Sequence, residues 1–175
     1  MAIITPTNSR DDRLLFHPHD LSENDKSKYA ATGTLVGTAS VSGGNLSLDG
    51  DSDYLTYPDS STNSLFSVNE QTLGIWFNAD TVDDTDQILI AKNDSGDGNK
   101  SYKLFIDATT DVIQSVLSSD GSADSSDISS AGTVTAGSDT FVVMTWDGTF
   151  HKIYINGVED GSGFYSSGIF DSDET

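Results

Sequence analysis

Short runs of apolar and β-branched residues that end at turn-forming residues are the feature that most constrains the fold of this chain. The clearest two runs are 140–146 and 150–155. Asp147-Gly148 separates them and Asn156-Gly157 follows the second, and such dipeptides are the strongest short-range hairpin signals in a sequence. Two adjacent antiparallel strands are therefore predicted here.

The same pattern extends over the rest of the chain and predicts further strands. They cover 13–17, 33–41 as a weak strand, two runs within 45–57, 71–78, 87–92, 102–107 and 112–117. Segment 118–137, rich in Ser, Asp and Gly, is predicted to be a long surface loop or a broken strand outside the core. Asp, Ser, Thr, Gly and Asn favour turns over helices, so we expect very little helix. Eight or more strands joined by such turns indicate an all-β, two-sheet antiparallel sandwich.

Charge and composition narrow the classes of partner. The chain carries 8 Lys+Arg and 28 Asp+Glu, a net charge of −20, and all but four of the acids are Asp. Such a chain repels phosphate backbones and anionic lipid, so we expect neither a nucleic acid nor a membrane partner. Without Cys there is no disulfide, thiolate metal site or cysteine nucleophile. No signal peptide is recognisable in the first residues.

Four motifs together resemble one family. They are 45–58, 72–77, 141–148 and 153–158, in this order. Their sequences and spacing resemble the concanavalin A-like, laminin G-like jelly-roll domains over residues 13–160. The resemblance implies a curved jelly roll of two sheets, usually non-catalytic. It also implies a carbohydrate or protein ligand on one face or rim, and frequently a structural Ca²⁺.

The resemblance divides the chain into three parts. Residues 1–12 are an amino-terminal extension, 13–160 the jelly roll, and 161–175 an interface segment or a truncated last strand. Family members usually continue into closing strands after the Asn-Gly-Val turn. We therefore expect a jelly roll that lacks its usual last strands, with 168–170 as one short remaining strand. A neighbouring subunit is expected to cover the open edge, because an uncovered long edge invites aggregation.

Asp49, Asp51 and Asp53 are the candidate metal ligands. Ca²⁺ takes six to eight oxygen ligands, and closely spaced carboxylates with backbone carbonyls supply them. The motif is not an EF-hand, because Tyr54 stands where the required Gly would be. The alternative is a solvated acidic turn in a chain that is rich in Asp throughout.

Catalysis is not indicated by the residues. A glycosidase needs two carboxylates about 5 to 10 Å apart, and no two of the four Glu lie closer than 15 residues in sequence. Neither a nucleophile elbow nor a phosphate-binding loop occurs. His17 and His19 supply only two of the ligands that zinc needs. We predict that the protein is not an enzyme.

Aromatic side chains are the candidate ligand- or partner-binding groups, because exposed rings stack on sugars and anchor protein interfaces. Phe164 and Tyr165 lie in a Gly/Ser-rich segment and are expected to be exposed. Tyr54 and Tyr57 follow the acidic turn and join them as candidates. Two other aromatic residues lie inside predicted strands and are expected to pack in the core: Trp76 and Trp146.

These features predict a non-catalytic structural or binding module, extracellular or on a virion surface. A fold normally found outside cells, without a signal peptide or Cys, suggests assembly onto a particle, as in a phage capsid decoration or tail-fibre protein. Its expected partners are other copies of itself, neighbouring virion proteins, a receptor or polysaccharide. The alternative is an accessory carbohydrate-binding domain of a longer secreted enzyme or adhesin.

Overall fold

The computed structural model forms twelve β-strands and no helix in the part of the chain that it describes. None of the described segments is a helix long and apolar enough to cross a membrane. The chain divides into two compact units, 1–65 with residue 175, and 66–174. The predicted extension, the strand over 13–17 and both amino-terminal histidines lie outside the described residues. The structure describes residues 22–27, 29–58, 70–82, 85–93 and 98–172.

The first unit contains two small antiparallel pairs of strands. β1 (Thr34–Val36) pairs with β4 (Tyr54–Thr56), and β2 (Ser40–Ser42) pairs with β3 (Asn45–Ser47). Gly43 and Gly44 join β2 to β3 with positive φ angles, which glycine adopts without steric cost. The strands predicted within 33–41 and 45–57 are thus present.

The second unit contains two four-stranded antiparallel sheets, which we call sheet I and sheet II. Sheet I has the order β12-β11-β10-β5, made of Val158–Phe164, Phe150–Ile155, Thr140–Trp146 and Gln71–Phe77. Sheet II has the order β6-β7-β8-β9, made of Gln87–Asn93, Lys100–Ile106, Val112–Leu117 and Ser126–Thr133. The hairpin predicted from the two turn dipeptides is β10-β11.

The inner faces of the two sheets form the core of this unit. Leu104 and Ile113 of sheet II and Val142, Met144 and Ile153 of sheet I have no exposed surface. Strand β10 buries every second residue, as a strand does when one face meets another sheet. The predicted all-β, two-sheet antiparallel sandwich is confirmed.

A buried polar group links the two sheets. His151 of β11 has no exposed surface. Its Nε2 lies 2.8 Å from the Ser115 hydroxyl and its Nδ1 lies 3.0 Å from the Ser126 hydroxyl, and both serines belong to sheet II. Burial lowers the pKa of His151 to about 4, because desolvation disfavours the imidazolium. The ring is therefore neutral near pH 7 and stays paired at both nitrogens.

Two strands differ from the sequence expectation. Strand β9 is a continuous strand of eight residues inside the segment predicted to be a surface loop or a broken strand. Its sequence pattern is weak because its inward residues include Ser126 and Ser130, which bond His151 and the Ile113 backbone and do not pack as apolar groups. Strand β12 runs past the expected boundary at residue 160. Its Gly161 reads as a loop residue, yet a Cβ there would lie 2.3 Å from a β9 carbonyl oxygen.

Residues 168–170 are not a strand, contrary to expectation. Instead, the segment 165–172 packs on its own unit. The Phe170 N–H donates to the Ser118 carbonyl at 2.7 Å, and the Ser172 N–H donates to the Ser101 hydroxyl at 3.0 Å. Ile169 is buried in the core cluster. This segment is therefore part of the described fold and not a free arm.

Candidate functional site

The outer face of sheet I, which points away from sheet II, concentrates exposed aromatic side chains. Five of its residues are aromatic: Trp76, Phe141, Phe150, Tyr154 and Phe164. Its remaining uncharged positions are small or β-branched: Thr72, Gly74, Val143, Thr145 and Ser162. The face therefore offers rings set on a floor of small side chains.

The first group of rings, the Trp76–Phe141 patch, lies where β5 pairs with β10. Trp76 and Phe141 are directly opposite in the register, their ring centroids are 4.9 Å apart, and their planes differ by 21°. Trp76 is 68 % exposed. Beside them, Gly74 has no side chain, and the Phe141 ring lies 3.8 Å from where a Cβ would stand. The patch is therefore an accessible pair of stacked rings.

The second group, the Phe150–Phe164 patch, lies where β11 pairs with β12. These two residues are also directly opposite, with ring centroids 6.0 Å apart and planes at 87°. Phe164 is 70 % exposed and Phe150 is exposed as well. The edge-to-face geometry is a favourable one for aromatic pairs.

Charge on this face is confined to one ion pair. The Lys152 Nζ lies 2.9 Å from the Glu159 Oε2. The hydrogen bond between them raises the pKa of Lys152 and lowers the pKa of Glu159, so both groups are charged and cancel near neutral pH. The outer face of sheet I thus has no net charge, although the whole chain has a net charge of −20.

Two of the four aromatic candidates from the sequence are exposed. Phe164 lies on the outer face of sheet I, and Tyr54 is exposed on β4 in the first unit. The expected exposure of Tyr165 is wrong, because it is 5 % exposed and its carbonyl accepts a hydrogen bond from the Trp146 Nε1 at 2.9 Å. Tyr165 is a core residue whose ring packs on that indole.

Tyr57 is also buried, with 7 % of its surface exposed. Its hydroxyl donates to the Glu23 carbonyl. Burial, with a smaller contribution from the charges of Asp25 and Glu23, raises the pKa of Tyr57. Its environment in the first unit is that of a structural residue that ties β4 to the loop before β1.

Trp76 is one of the aromatic residues of this face that the sequence did not identify as a binding group. It was expected in the core together with Trp146, and only Trp146 is buried. A signal was available, since Leu73, Ile75 and Phe77 alternate with Thr72, Gly74 and Trp76 along β5. Only one set can face the core, because successive side chains in a strand point to opposite faces. The more apolar set, Leu73, Ile75 and Phe77, faces the core, so Trp76 lies on the outer face.

The acidic turn, residues 49–53, is held by its own carboxylates. The Asp49 carboxylate accepts the N–H groups of Asp51, Ser52 and Asp53 at 2.9 to 3.0 Å, and these bonds lower its pKa to about 2. The Asp53 carboxylate accepts the Thr38 N–H at 2.6 Å. Among the described residues no three acidic or His side chains converge as a metal site. The carboxylates of Asp49 and Asp53 thus bond backbone N–H groups, and calcium binding at Asp49, Asp51 and Asp53 stays a prediction.

Comparison with known families agrees with the four sequence motifs. The family model described as the concanavalin A-like lectin/glucanases superfamily matches residues 49–175. The chain belongs to this superfamily. The resemblance inferred from the four motifs is confirmed, and with it the jelly-roll fold. The superfamily includes lectins and glucanases, so membership alone does not decide between binding and catalysis.

Among solved structures, one similar chain is the S-layer domain-containing protein (residues 221–444) from Clostridium thermocellum ATCC 27405. The two chains are 23 % identical, and the similarity covers 85 % of this chain and 70 % of that chain with a TM-score of 0.49. No curated protein gave a significant match.

Proposed function

We propose that this member of the concanavalin A-like superfamily is a non-catalytic carbohydrate-binding module, and that its ligand binds on the outer face of sheet I. The observation that carries the proposal is the Trp76–Phe141 patch. Two stacked rings, one of them 68 % exposed, present an accessible apolar surface beside Gly74, which has no side chain. Exposed apolar clusters on a soluble domain commonly mark binding sites.

The chemistry of the same face argues against hydrolysis. A glycosidase uses a pair of carboxyl groups, one of them a general acid with a raised pKa. On the outer face of sheet I, the carboxylate is that of Glu159, and its pKa is lowered by Lys152. A lone carboxylate that stays ionised supports binding rather than bond cleavage.

A module that binds polysaccharide fits an extracellular or cell-surface protein, and that is the location we propose. A phage virion surface, with capsid decoration or tail-fibre neighbours, is a narrower hypothesis that rests on the sequence reasoning. An accessory domain of a longer secreted enzyme or adhesin is the alternative. Mass spectrometry that looks for the protein in purified virus particles and in the secreted fraction of the source distinguishes the virion hypothesis from the secreted accessory domain.

The proposal is tested by affinity electrophoresis in gels that contain neutral β-glucan, mannan or xylan. The native chain should be retarded by at least one of them, and Trp76→Ala should lose most of that retardation. Ile88→Ala is the matched control, because it removes an exposed apolar side chain from sheet II. Retardation of Trp76→Ala equal to that of the native chain would refute this assignment.

A further inference from the structure

We infer that the two aromatic patches are subsites for one polymer, and that the ligand is an extended, uncharged polysaccharide chain rather than a single sugar. The inference rests on the proposed function and specifies its ligand. Three features of the face support it: the separation of the patches, the charge of the face and the character of the surface between them.

The patches lie at opposite corners of the sheet. In the register of β10 and β11, the turn residue Asp147 stands opposite Phe150, six positions along the strand from Phe141, which corresponds to about 20 Å. Trp76 and Phe164 lie on the two edge strands of sheet I, separated by three inter-strand spacings of about 4.8 Å each. The diagonal between these two rings is therefore about 25 Å. Only a ligand of several linked sugar rings can contact both.

The charge of the face selects among such polymers. The chain's net charge of −20 repels a polyanion, and the cation on this face, Lys152, is neutralised by Glu159. An acidic polysaccharide would have to break that pair to find a cation here. An uncharged chain meets no such penalty, and both members of the ion pair can still hydrogen-bond its hydroxyl groups.

The surface between the patches favours a sugar polymer over a protein. Protein interfaces are built around a contiguous, desolvated apolar centre with a polar rim. Here the aromatic patches lie at the corners, and the centre mixes Val143 and Tyr154 with Thr145 and the Lys152–Glu159 pair, so polar and charged groups interrupt the apolar surface. Polar groups between stacking rings match a ligand whose rings alternate apolar faces with hydroxyl edges.

The test uses cello-, manno- and xylo-oligosaccharides, as disaccharides and as hexasaccharides of each series. Binding is followed by titration calorimetry and by the fluorescence of Trp76. Linking two weak contacts through one ligand raises affinity without any new contact. In the series that binds, the native chain should prefer the hexasaccharide to the disaccharide by at least about tenfold.

Phe164→Ala is the deciding variant, because it removes a ring that is 70 % exposed and leaves the Trp76–Phe141 patch intact. It should weaken hexasaccharide binding by about tenfold. The response of Trp76 fluorescence to the disaccharide should not change. Ile88→Ala, an exposed apolar residue on sheet II, is the control and should bind like the native chain.

The outcomes separate this inference from the proposed function. Equal affinity for both lengths, or hexasaccharide binding that Phe164→Ala leaves intact, overturns the two-subsite inference while single-patch binding stands. No binding of any probe or of the parent polysaccharides overturns both. A native dimer that Trp76→Ala and Phe164→Ala each dissociate would show that the face joins two copies, which also overturns the inference.

Discussion

The buried His151 should make the stability of the sandwich depend on pH, and the effect can be estimated from the structure. Its imidazole has no exposed surface and bonds two serine hydroxyls of sheet II. Burial lowers its pKa to about 4, against 6.5 in a solvated chain. The native state thus binds fewer protons than the unfolded state between these two values. Stability present above pH 6.5 is lost as the pH falls towards 4.

The size of the effect follows from proton linkage. Between about pH 7 and about pH 5, a group with these two pKa values lowers the free energy of unfolding by about 2 kcal/mol. Acidic side chains also titrate towards the low end of this range and change stability on their own. Their contribution is shared by a variant that lacks only the imidazole, so the difference between the two proteins isolates His151.

The assay is urea denaturation followed by circular dichroism at several pH values for the native chain and His151→Gln. The native chain is more stable at about pH 7, and its advantage over the variant should shrink by about 2 kcal/mol at about pH 5. A constant offset from lost packing does not affect this difference. An advantage that stays the same at both pH values would refute the reasoning that His151 is buried and neutral.

Three further expectations concern stability. Saturating Ca²⁺ should raise the melting temperature, and a chelator lower it, if the acidic turn around Asp49 binds the ion; unchanged melting curves in both conditions would remove the calcium hypothesis. Gly161→Ala should lower the free energy of unfolding in urea by roughly 1 to 3 kcal/mol, because the added Cβ meets a backbone oxygen of β9. Gly132→Ala is the control, because its added Cβ meets only a flexible side chain at 3.4 Å. Equal losses in the two variants would contradict the close approach of β12 and β9. Ser101→Ala removes the hydroxyl that bonds the backbone of the carboxyl-terminal segment, so hydrogen exchange at the Phe170 amide should accelerate; unchanged exchange would contradict that docking.

The strands with regular alternation could be predicted from the sequence because their inward residues are apolar. In β10, Val142 and Met144 alternate with outward residues, and Asp147-Gly148 marks the turn to β11. Turn chemistry and period two are local properties, so they are readable without knowledge of the partner strand.

The extents of strands β9 and β12 could not be predicted, because tertiary contacts select their residues. Gly161 is required by the close approach of β9, and Ser126 serves the His151 network. Both residue types favour turns when read locally. The same limit applies to Tyr165, which follows a Gly/Ser-rich stretch yet is buried against Trp146. Exposure of an aromatic residue outside a strand depends on contacts that local sequence does not encode.

Only part of the candidate site could be predicted from the sequence. Phe164 was found as an exposed ring, whereas its partner Phe150 and the Trp76–Phe141 patch were not identified as binding groups. The patches form only when the register of sheet I places rings from different strands opposite each other. That register is a long-range property, and it decides which aromatic residues act together.

The most direct test of the central claim is acrylamide quenching of tryptophan fluorescence, with and without a saturating neutral polysaccharide. The chain has two tryptophans, and only Trp76 is exposed. Quenching of the native chain should fall when the polysaccharide binds, and Trp76→Phe should show no such fall. If the polysaccharide binds and leaves Trp76 as accessible to acrylamide as before, the ligand does not lie on the outer face of sheet I and the account is contradicted.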